Sequence, residues 1–278
     1  MANTVIEPTL FAKEVIRNRD IKNVFYKYTN SDYTGELKQA WDTVTVQILP
    51  TLSFAAWTAG AAITATNFTI TSENLVINQT EQLLVRVTAK EKTQSNLELT
   101  MSIASRFAEA EARLFDEAVR DQILVTQVAD IPAANKLDSG APITLTPALA
   151  YTSILNLSEA LDNQNVNEDN RVAFVSPNFA NNLMQSGFLD STDTGLETRF
   201  KGYIGMVNGV KIVKTNALTA SKEVIMLQEW AVNMVVQLNE YDVRKGTDGF
   251  YENLMAEIIF WLKIFGENAK AIAIQYIA

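Results

Sequence analysis

Cysteine and histidine are absent from this 278-residue chain. Without them, cysteine nucleophiles, Ser-His-Asp triads and general acid–base catalysis by histidine are excluded. Zinc sites, which almost always use these two residues, are not expected either. No disulfide bond can form, so stability must come from packing within the chain or against partners. We therefore predict no catalytic site, no metal site and no cofactor-binding site, and the enzymatic alternative is a carboxylate-based enzyme.

Positive net charge and long apolar runs are also lacking. The formal net charge is -9, so the chain gains nothing from attraction to phosphates, and sequence-specific nucleic-acid binding is not expected. The N-terminal residues have no apolar core like that of a signal peptide. The apolar run 258–265 is too short to span a bilayer and contains Lys263. We expect a soluble protein, made in the cytoplasm, with no membrane partner.

Residues 94–127 contain neither glycine nor proline, and their apolar residues recur at helical spacing. Oppositely charged residues four positions apart, such as Glu109 and Arg113, support a helix on the other side. A helix over this span would be about 50 Å long, which favours a strut. The carboxylates that we expect on its solvated face, rather than in a catalytic site, are Glu109, Glu111, Asp116 and Glu117.

The N-terminal part predicts an extended arm with a short helix. Pro8 can open this helix at its first turn. The charges of residues 17–20 form a small cluster that we expect to be solvated.

The next segment combines a strand pattern with an unusual lack of charge. Residues 43–48 alternate between apolar and polar side chains, which predicts a strand, and a second strand pair is predicted near 74–78 and 82–88. No residue between Asp42 and Glu73 is charged. The segment is either a buried sheet of the chain's own core or a projecting hairpin covered by neighbouring copies. Its low Val, Ile and Leu content favours the hairpin. The predicted intersubunit contacts are Phe54, Trp57, Ile63 and Phe68.

The second half carries several local signals. Thr146 before Pro147 and Ser176 before Pro177 predict helix starts. Asn208 and Gly209 between apolar runs predict a β-hairpin. Residues 254–265 form a long strand or a helix, and 269–277 a last strand.

Five segments resemble, in order, the major capsid proteins of tailed bacteriophages, which share the Hong Kong 97 fold. The segment FKGYIGMVNGVKIVKTNAL (200–218), with its Asn-Gly hairpin, is the most specific of them. The other four are LKQAWDTVTVQILP (37–50), SNLELTMSIASRFAEAEARLFDEAVRDQIL (95–124), RVAFVSPNFANNLM (171–184) and GFYENLMAEIIFWLKIFGENAKAIAI (249–274).

The resemblance implies an α+β fold of the Hong Kong 97 type. Its expected parts are an N-terminal arm (1–40), an extended β-hairpin loop (41–92), a peripheral domain with a long spine helix (93–145), an axial domain (146–240) and C-terminal strands that return to the peripheral domain (241–278).

The implied function is that of a structural protein of the virion, assembled in the host cytoplasm. Copies of the chain would form hexamers and pentamers of an icosahedral head that encloses double-stranded DNA. Portal, scaffolding and decoration proteins would be further partners, and DNA would be a non-specific neighbour. The alternatives are an encapsulin-type nanocompartment shell with the same fold and, more distantly, the carboxylate-based enzyme.

Overall fold

The computed structural model describes residues 8–22, 24–32, 43–48, 56, 70–76, 79–88, 98–186, 203–218, 223–245 and 251–278. Within these residues the helices are α1 Pro8–Lys22, α2 Glu98–Asp121, α3 Pro147–Asn163 and α4 Pro177–Gln185. The strands are β1 Thr43–Ile48, β2 Thr71–Val76, β3 Gln79–Thr88, β4 Lys136–Leu137, β5 Arg171–Val175, β6 Tyr203–Val207, β7 Val210–Lys214, β8 Val224–Gln228, β9 Asn233–Lys245, β10 Tyr251–Lys263 and β11 Ile272–Gln275.

The predicted long helix is confirmed as α2, which has 24 residues and continues into a π-helical turn, Gln122–Thr126. At about 1.5 Å per residue, α2 is roughly 36 Å long. Its buried side includes Phe107, Phe115 and Val119. The expectation for its acidic face is wrong at two positions, because Glu111 and Asp116 are both buried.

A six-stranded sheet forms the larger part of the core, in the order β4-β11-β8-β5-β7-β6. The central strand β5 is buried at all five positions. Its Val172 and Phe174 pack on the side of Phe115 from α2, whereas Ala173 and Val175 face the helices α3 and α4. Burial on both faces explains why β5 is a continuous apolar run rather than an alternating one.

A three-stranded antiparallel sheet, β3-β10-β9, lies against α1 and α2. From Leu254 onwards the even-numbered residues of β10 are buried, whereas the odd-numbered ones are half-buried. Leu254 and Ala256 pack with Phe11 of α1 and Phe107 of α2. The segment that the sequence left open between helix and strand is therefore a strand, with only one face in the core.

The strands β1 and β2 pair with each other as a separate two-stranded sheet. The predicted pairing of the segments 74–78 and 82–88 is wrong, because β3 pairs with β10 instead. The reason is burial: Val85 and Val87 of β3 pack into the same cluster as α2. The predicted last strand is also shorter than expected, because residues Asn268–Ala271 form a 3-10 helix before β11.

The hydrogen-bonded sheets cross the predicted domain boundaries. The strand β9 begins within the range 146–240 but pairs along its length with β10. The strand β11, in the range 241–278, pairs with β8 of the six-stranded sheet. The division into five parts therefore stays a prediction, and residue 240 does not mark a boundary between sheets.

The local signals of the second half are confirmed. The hydroxyl of Thr146 accepts a hydrogen bond from the Leu149 amide at 3.3 Å. The hydroxyl of Ser176 accepts one from the Phe179 amide at the same distance. The strands β6 and β7 pair through Val207 and Val210, with Asn208 and Gly209 as the turn.

The turn between β6 and β7 provides a test of backbone conformation. Gly209 has a φ of +77°, and no atom lies within 4 Å of an added Cβ. Gly209→Ala should therefore lower the free energy of unfolding by about 1–2 kcal/mol through backbone strain alone, measured by urea denaturation. Gly140→Ala is the matched control, because its added Cβ also meets open space without a left-handed φ. Equal losses in both variants would contradict this explanation.

Candidate functional site

Two groups of polar contacts hold the exposed and N-terminal parts of the chain to its body. The first, the hairpin anchor, consists of Glu73, Lys263 and the backbone of Gly266. Glu73 forms an ion pair with Lys263 at 3.0 Å, and its carboxylate accepts a hydrogen bond from the Gly266 amide at 3.1 Å. Lys263 also donates to the Asn74 carbonyl at 3.0 Å. One charged pair thus ties β2 to the end of β10.

Apolar contacts support the hairpin anchor on the strand β1. Val46 and Ile48 pack against a small buried cluster of Val235 and Phe265, and Trp261 packs against the same cluster. The ammonium of Lys263 lies 5.6 Å from the centre of the Phe265 ring, which is within cation–π range. The base of the hairpin is therefore fixed by both charge and packing.

The second group, the N-terminal clamp, consists of Arg19, Val24 and Phe25 on one side and Glu111 and Asp116 of α2 on the other. Arg19 and Glu111 form a buried ion pair at 2.8 Å. The expectation that residues 17–20 are solvated is therefore wrong for Arg19. Burial of this charge is tolerated because a carboxylate 92 residues away in the chain accepts its hydrogen bond.

Glu111 joins three parts of the fold. One carboxylate oxygen accepts from Arg19, and the other accepts from the Tyr241 hydroxyl of β9 at 2.6 Å. The Arg19 guanidinium also lies 5.8 Å from the centre of the Phe115 ring. Both oxygens of Glu111 are thus engaged by groups from α1 and β9.

Asp116 holds the segment that follows α1. Its carboxylate accepts the backbone amides of Phe25 at 2.8 Å and of Val24 at 3.2 Å. Burial raises the pKa of Asp116 to about 6, because desolvation disfavours the charged form more than these amides favour it. Beyond this point Phe25 stacks on Phe174 of β5, with ring centroids 4.1 Å apart. The clamp thus carries the N-terminal segment into the main core.

The two carboxylates of the clamp are engaged by contacts within the chain. Both Glu111 and Asp116 accept hydrogen bonds from groups of the chain itself. Within the described ranges, no group of three or more Asp or Glu residues could hold a metal ion. What this geometry supplies is the positioning of segments that extend from the body.

Comparison with known proteins identifies the family. A model of the phage capsid protein family matches residues 79–253, which is more than half of the chain. The chain belongs to the phage capsid protein family. The predicted role as a major capsid protein is therefore confirmed, and it is a structural role. A search of curated proteins by sequence found no match.

Solved structures support the fold of this capsid protein. Mycobacterium phage Che8 matches with a TM-score of 0.70 and 21% identity, over 91% of this chain and 90% of that chain. The capsid structure of Cyanophage P-SCSP1u matches with a TM-score of 0.70 and 16% identity, over 92% and 88%. The predicted Hong Kong 97 type of fold is thus confirmed.

The crystal structure of a virus-like particle from Pyrococcus furiosus also shares the fold of the capsid protein. It matches with a TM-score of 0.58 and 13% identity, over 98% of this chain and 100% of that chain. At such identity the likeness concerns the fold alone. The nanocompartment alternative is not favoured, because the family match is to phage capsid proteins.

The predicted intersubunit residues of the capsid protein, Phe54, Trp57, Ile63 and Phe68, lie outside the described residues. Their role stays a prediction. In the parts of the chain that the structure describes, no helix is long and apolar enough to cross a membrane.

The sequence analysis missed the residues of both the anchor and the clamp. Two of them carried a signal. Glu73 is the first charge after the uncharged segment, and Lys263 is the single charge within the apolar run 258–265. An isolated charge in such a context needs a partner. Arg19, Glu111 and Asp116 gave no comparable signal, because they lie among other charged residues.

The N-terminal clamp is tested by removing one of its buried charges. Arg19→Ala leaves Glu111 buried with one partner fewer, so the free energy of unfolding should fall by about 3–5 kcal/mol in urea denaturation. Arg17→Ala is the control, because this neighbouring side chain is 75% exposed. We expect it to behave like the wild type, and an equal effect of both substitutions would exclude burial of the pair as the cause.

Asp116 should give the clamp a pH dependence of defined sign. Its pKa is about 6 in the folded chain against an ordinary 3.8, so the folded state binds the proton more tightly. This stabilisation is complete below about pH 3.8 and is lost as the pH rises through about 6. Between pH 4 and pH 7, wild-type stability should therefore fall by roughly 2 kcal/mol relative to Asp116→Asn, which does not titrate.

The measurement is urea denaturation of both proteins across this pH range. Glu117→Gln removes one carboxylate from the exposed side of the same helix and serves as the control for charge. A stability difference between wild type and Asp116→Asn that stays constant with pH would refute the assignment.

Proposed function

We propose that copies of this capsid protein assemble into hexamers and pentamers, which close an icosahedral phage head around double-stranded DNA. The family match and the shared fold support this proposal. The net charge of -9 is consistent with a shell that does not bind its DNA tightly. We place assembly in the host cytoplasm, and we propose portal, scaffolding and decoration proteins as further partners.

One observation carries the proposal: among the described residues, the hairpin β1–β2 forms a sheet of its own. Its two strands pair with each other and with no third strand among the described residues. A two-stranded hairpin is at best marginally stable in water by itself. The residues between β1 and β2 are uncharged and include Phe54, Trp57, Ile63 and Phe68. A neighbouring copy that covers this segment would supply the missing burial.

The hairpin anchor holds this hairpin to the body of the subunit. Glu73 and Lys263 fix the hairpin to the end of β10. The strands β1 and β2, which flank residues 49–70, are therefore held by the subunit's own core. We propose that this segment, within the extended loop 41–92, reaches over an adjacent subunit.

The remaining parts take the roles implied by their place in the chain. Residues 1–40 form the N-terminal arm, 93–145 the peripheral domain with α2 as its spine, and 146–240 the axial domain near the centre of each hexamer or pentamer. The strands in 241–278 return to the peripheral domain through β10. In this proposal the role of the chain is structural, and no reaction is assigned to it.

Replacement of residues 52–69 by a short Gly-Ser linker tests the proposed loop. The strands β1 and β2 and the hairpin anchor remain in this variant, so we expect a folded subunit with a wild-type circular dichroism spectrum. Closed shells, visible for the wild type by negative-stain electron microscopy, should be lost. Trp57→Ala should lower the shell yield, whereas its neighbour Thr58→Ala should not.

Two outcomes would count against the proposal. Normal shells from the linker variant would show that the segment is not needed between subunits. An unfolded linker variant would instead support the buried-sheet alternative. The contents of wild-type particles distinguish the biological roles, because a phage head holds DNA and a nanocompartment holds a cargo protein.

A further inference from the structure

Trp230, in the turn between β8 and β9, has a backbone conformation that is unusual for its residue type. Its φ is +76°, in the left-handed region that bulky side chains rarely adopt. The other non-glycine residues with a left-handed φ in the described part of the chain are all Asp or Asn, which tolerate it: Asp138, Asn165, Asn170 and Asn208. Of these described residues, only Trp230 carries a bulky side chain.

Contacts with other parts of the subunit hold the turn in this conformation. The Trp230 amide donates a hydrogen bond to the Tyr28 carbonyl of the N-terminal segment at 3.2 Å. The Glu229 amide donates to the carbonyl of Asn170, the residue before β5, at 3.0 Å. The Glu229 carboxylate also forms an ion pair with Lys211 of β7 at 3.4 Å. The backbone that carries Trp230 is therefore fixed from three sides before any partner binds.

Burial within the subunit does not account for a tryptophan at this position, because 65% of Trp230 is exposed. An asparagine would fit the left-handed backbone better. The exposed part of the tryptophan leaves on the order of 150 Å² for a partner to cover. Tryptophan is enriched among the residues that dominate binding energy at interfaces, and a fixed backbone lowers the entropy lost on binding. The turn therefore has the properties of an anchor for another molecule.

The charges beside the turn indicate which class of molecule can bind there. The side-chain amide of Gln228 donates to the Asp169 carbonyl at 3.5 Å, so the loop before β5 lies next to the turn. Glu168 and Asp169 of this loop are exposed carboxylates. Their negative charge opposes the approach of a phosphate backbone, which disfavours stacking of Trp230 on DNA bases. A protein surface is the partner that these surroundings favour.

We propose that Trp230 is an anchor between adjacent copies of this chain, with its side chain buried against the neighbouring copy in the assembled shell. This inference rests on the proposed self-assembly. Every copy presents the same exposed tryptophan, so the partner must be as abundant as the chain itself. In a closed shell, the neighbouring copies meet this requirement one to one.

The size of the anchor indicates the setting in which it acts. One tryptophan buries far less than the about 800 Å² that each partner of a stable pair of proteins usually buries. The contact is therefore one part of a larger interface between copies, and Trp230 by itself does not produce a dimer of isolated subunits.

Two substitutions separate a role in assembly from a role in the fold. Trp230→Asn removes the ring and suits the left-handed backbone, so the midpoint of urea denaturation should be no lower than in the wild type. Its shell yield, counted by negative-stain electron microscopy, should fall at least about tenfold. Trp230→Phe is the matched control, because it keeps an aromatic ring on the same backbone. We expect this variant to retain most of the shell yield.

Fluorescence quenching by acrylamide measures the burial of Trp230 directly. The chain has four tryptophans, so the difference between wild type and Trp230→Phe reports on this residue alone. In isolated subunits the difference should show a tryptophan that the quencher reaches. In purified shells that contain only this chain, the accessible component should disappear.

A photo-crosslinking experiment identifies the partner. Benzoylphenylalanine, introduced at position 230, keeps an aromatic side chain there and forms a covalent bond with a neighbouring molecule under ultraviolet light. In assembled shells it should join two copies of the chain, seen as a dimer on a denaturing gel. The same variant irradiated as isolated subunits is the control and should give no dimer.

The outcomes separate this inference from the proposed function. A wild-type shell yield from Trp230→Asn, an accessible Trp230 in intact shells, or crosslinks to a decoration protein instead of a second copy would each overturn the anchor while leaving the capsid role in place. A lower yield of Trp230→Asn that comes with a lower urea midpoint would also overturn it, because the tryptophan would then stabilise the subunit itself. A wild-type chain that forms neither shells nor capsomers would instead contradict the proposed function.

Discussion

The buried carboxylate of Glu111 is the contact on which the arrangement of the described parts depends. It accepts hydrogen bonds from Arg19 of α1 and from Tyr241 of β9, so one side chain of α2 connects the N-terminal helix to the three-stranded sheet. Asp116, five residues further on, connects the same helix to the amides of Val24 and Phe25. Each carboxylate is costly to bury, and each becomes tolerable only when these particular groups are in place.

Such contacts give positional specificity more than net stability. An N-terminal segment placed elsewhere on α2 would leave Arg19 or Glu111 buried without a charged partner, at a cost of about 3–5 kcal/mol. Apolar packing of Phe25 on Phe174 would tolerate small shifts more readily. The subunit therefore combines a body whose N-terminal segment is held in one position with a hairpin whose described strands form a separate two-stranded sheet. This division suits a protein that must fold alone and complete its burial in an assembly.

Local sequence signals predicted most of the elements, whereas pairing over long separations was not predictable. The caps at Thr146 and Ser176 and the turn at Gly209 depend on a few adjacent residues, so the sequence identifies them. The pairing of β3 with β10 joins segments about 170 residues apart, and no adjacent residue encodes it. Beside the clamp, the small residues Ala104, Ala108 and Ala112 lie on the buried side of α2. Their spacing of four marks a helix face that another helix can approach closely, and the carboxylates beside it are then buried.

The distribution of positive charge connects the fold to assembly. Arg19 and Arg171 are buried within the subunit, the latter paired with Asp162 at 2.7 Å, and Lys263 holds the hairpin. Each of these cations is paired with a carboxylate, so the three pairs are neutral and the net charge of -9 belongs to the other residues of the chain. Copies with a net charge of -9 repel one another at separations below about 10 Å in 0.1 M salt, because ions screen the repulsion at longer range. A stable contact between copies must therefore combine local opposite charges with apolar burial. Non-specific association is then unfavourable, and assembly is restricted to surfaces that are complementary in both charge and apolar area.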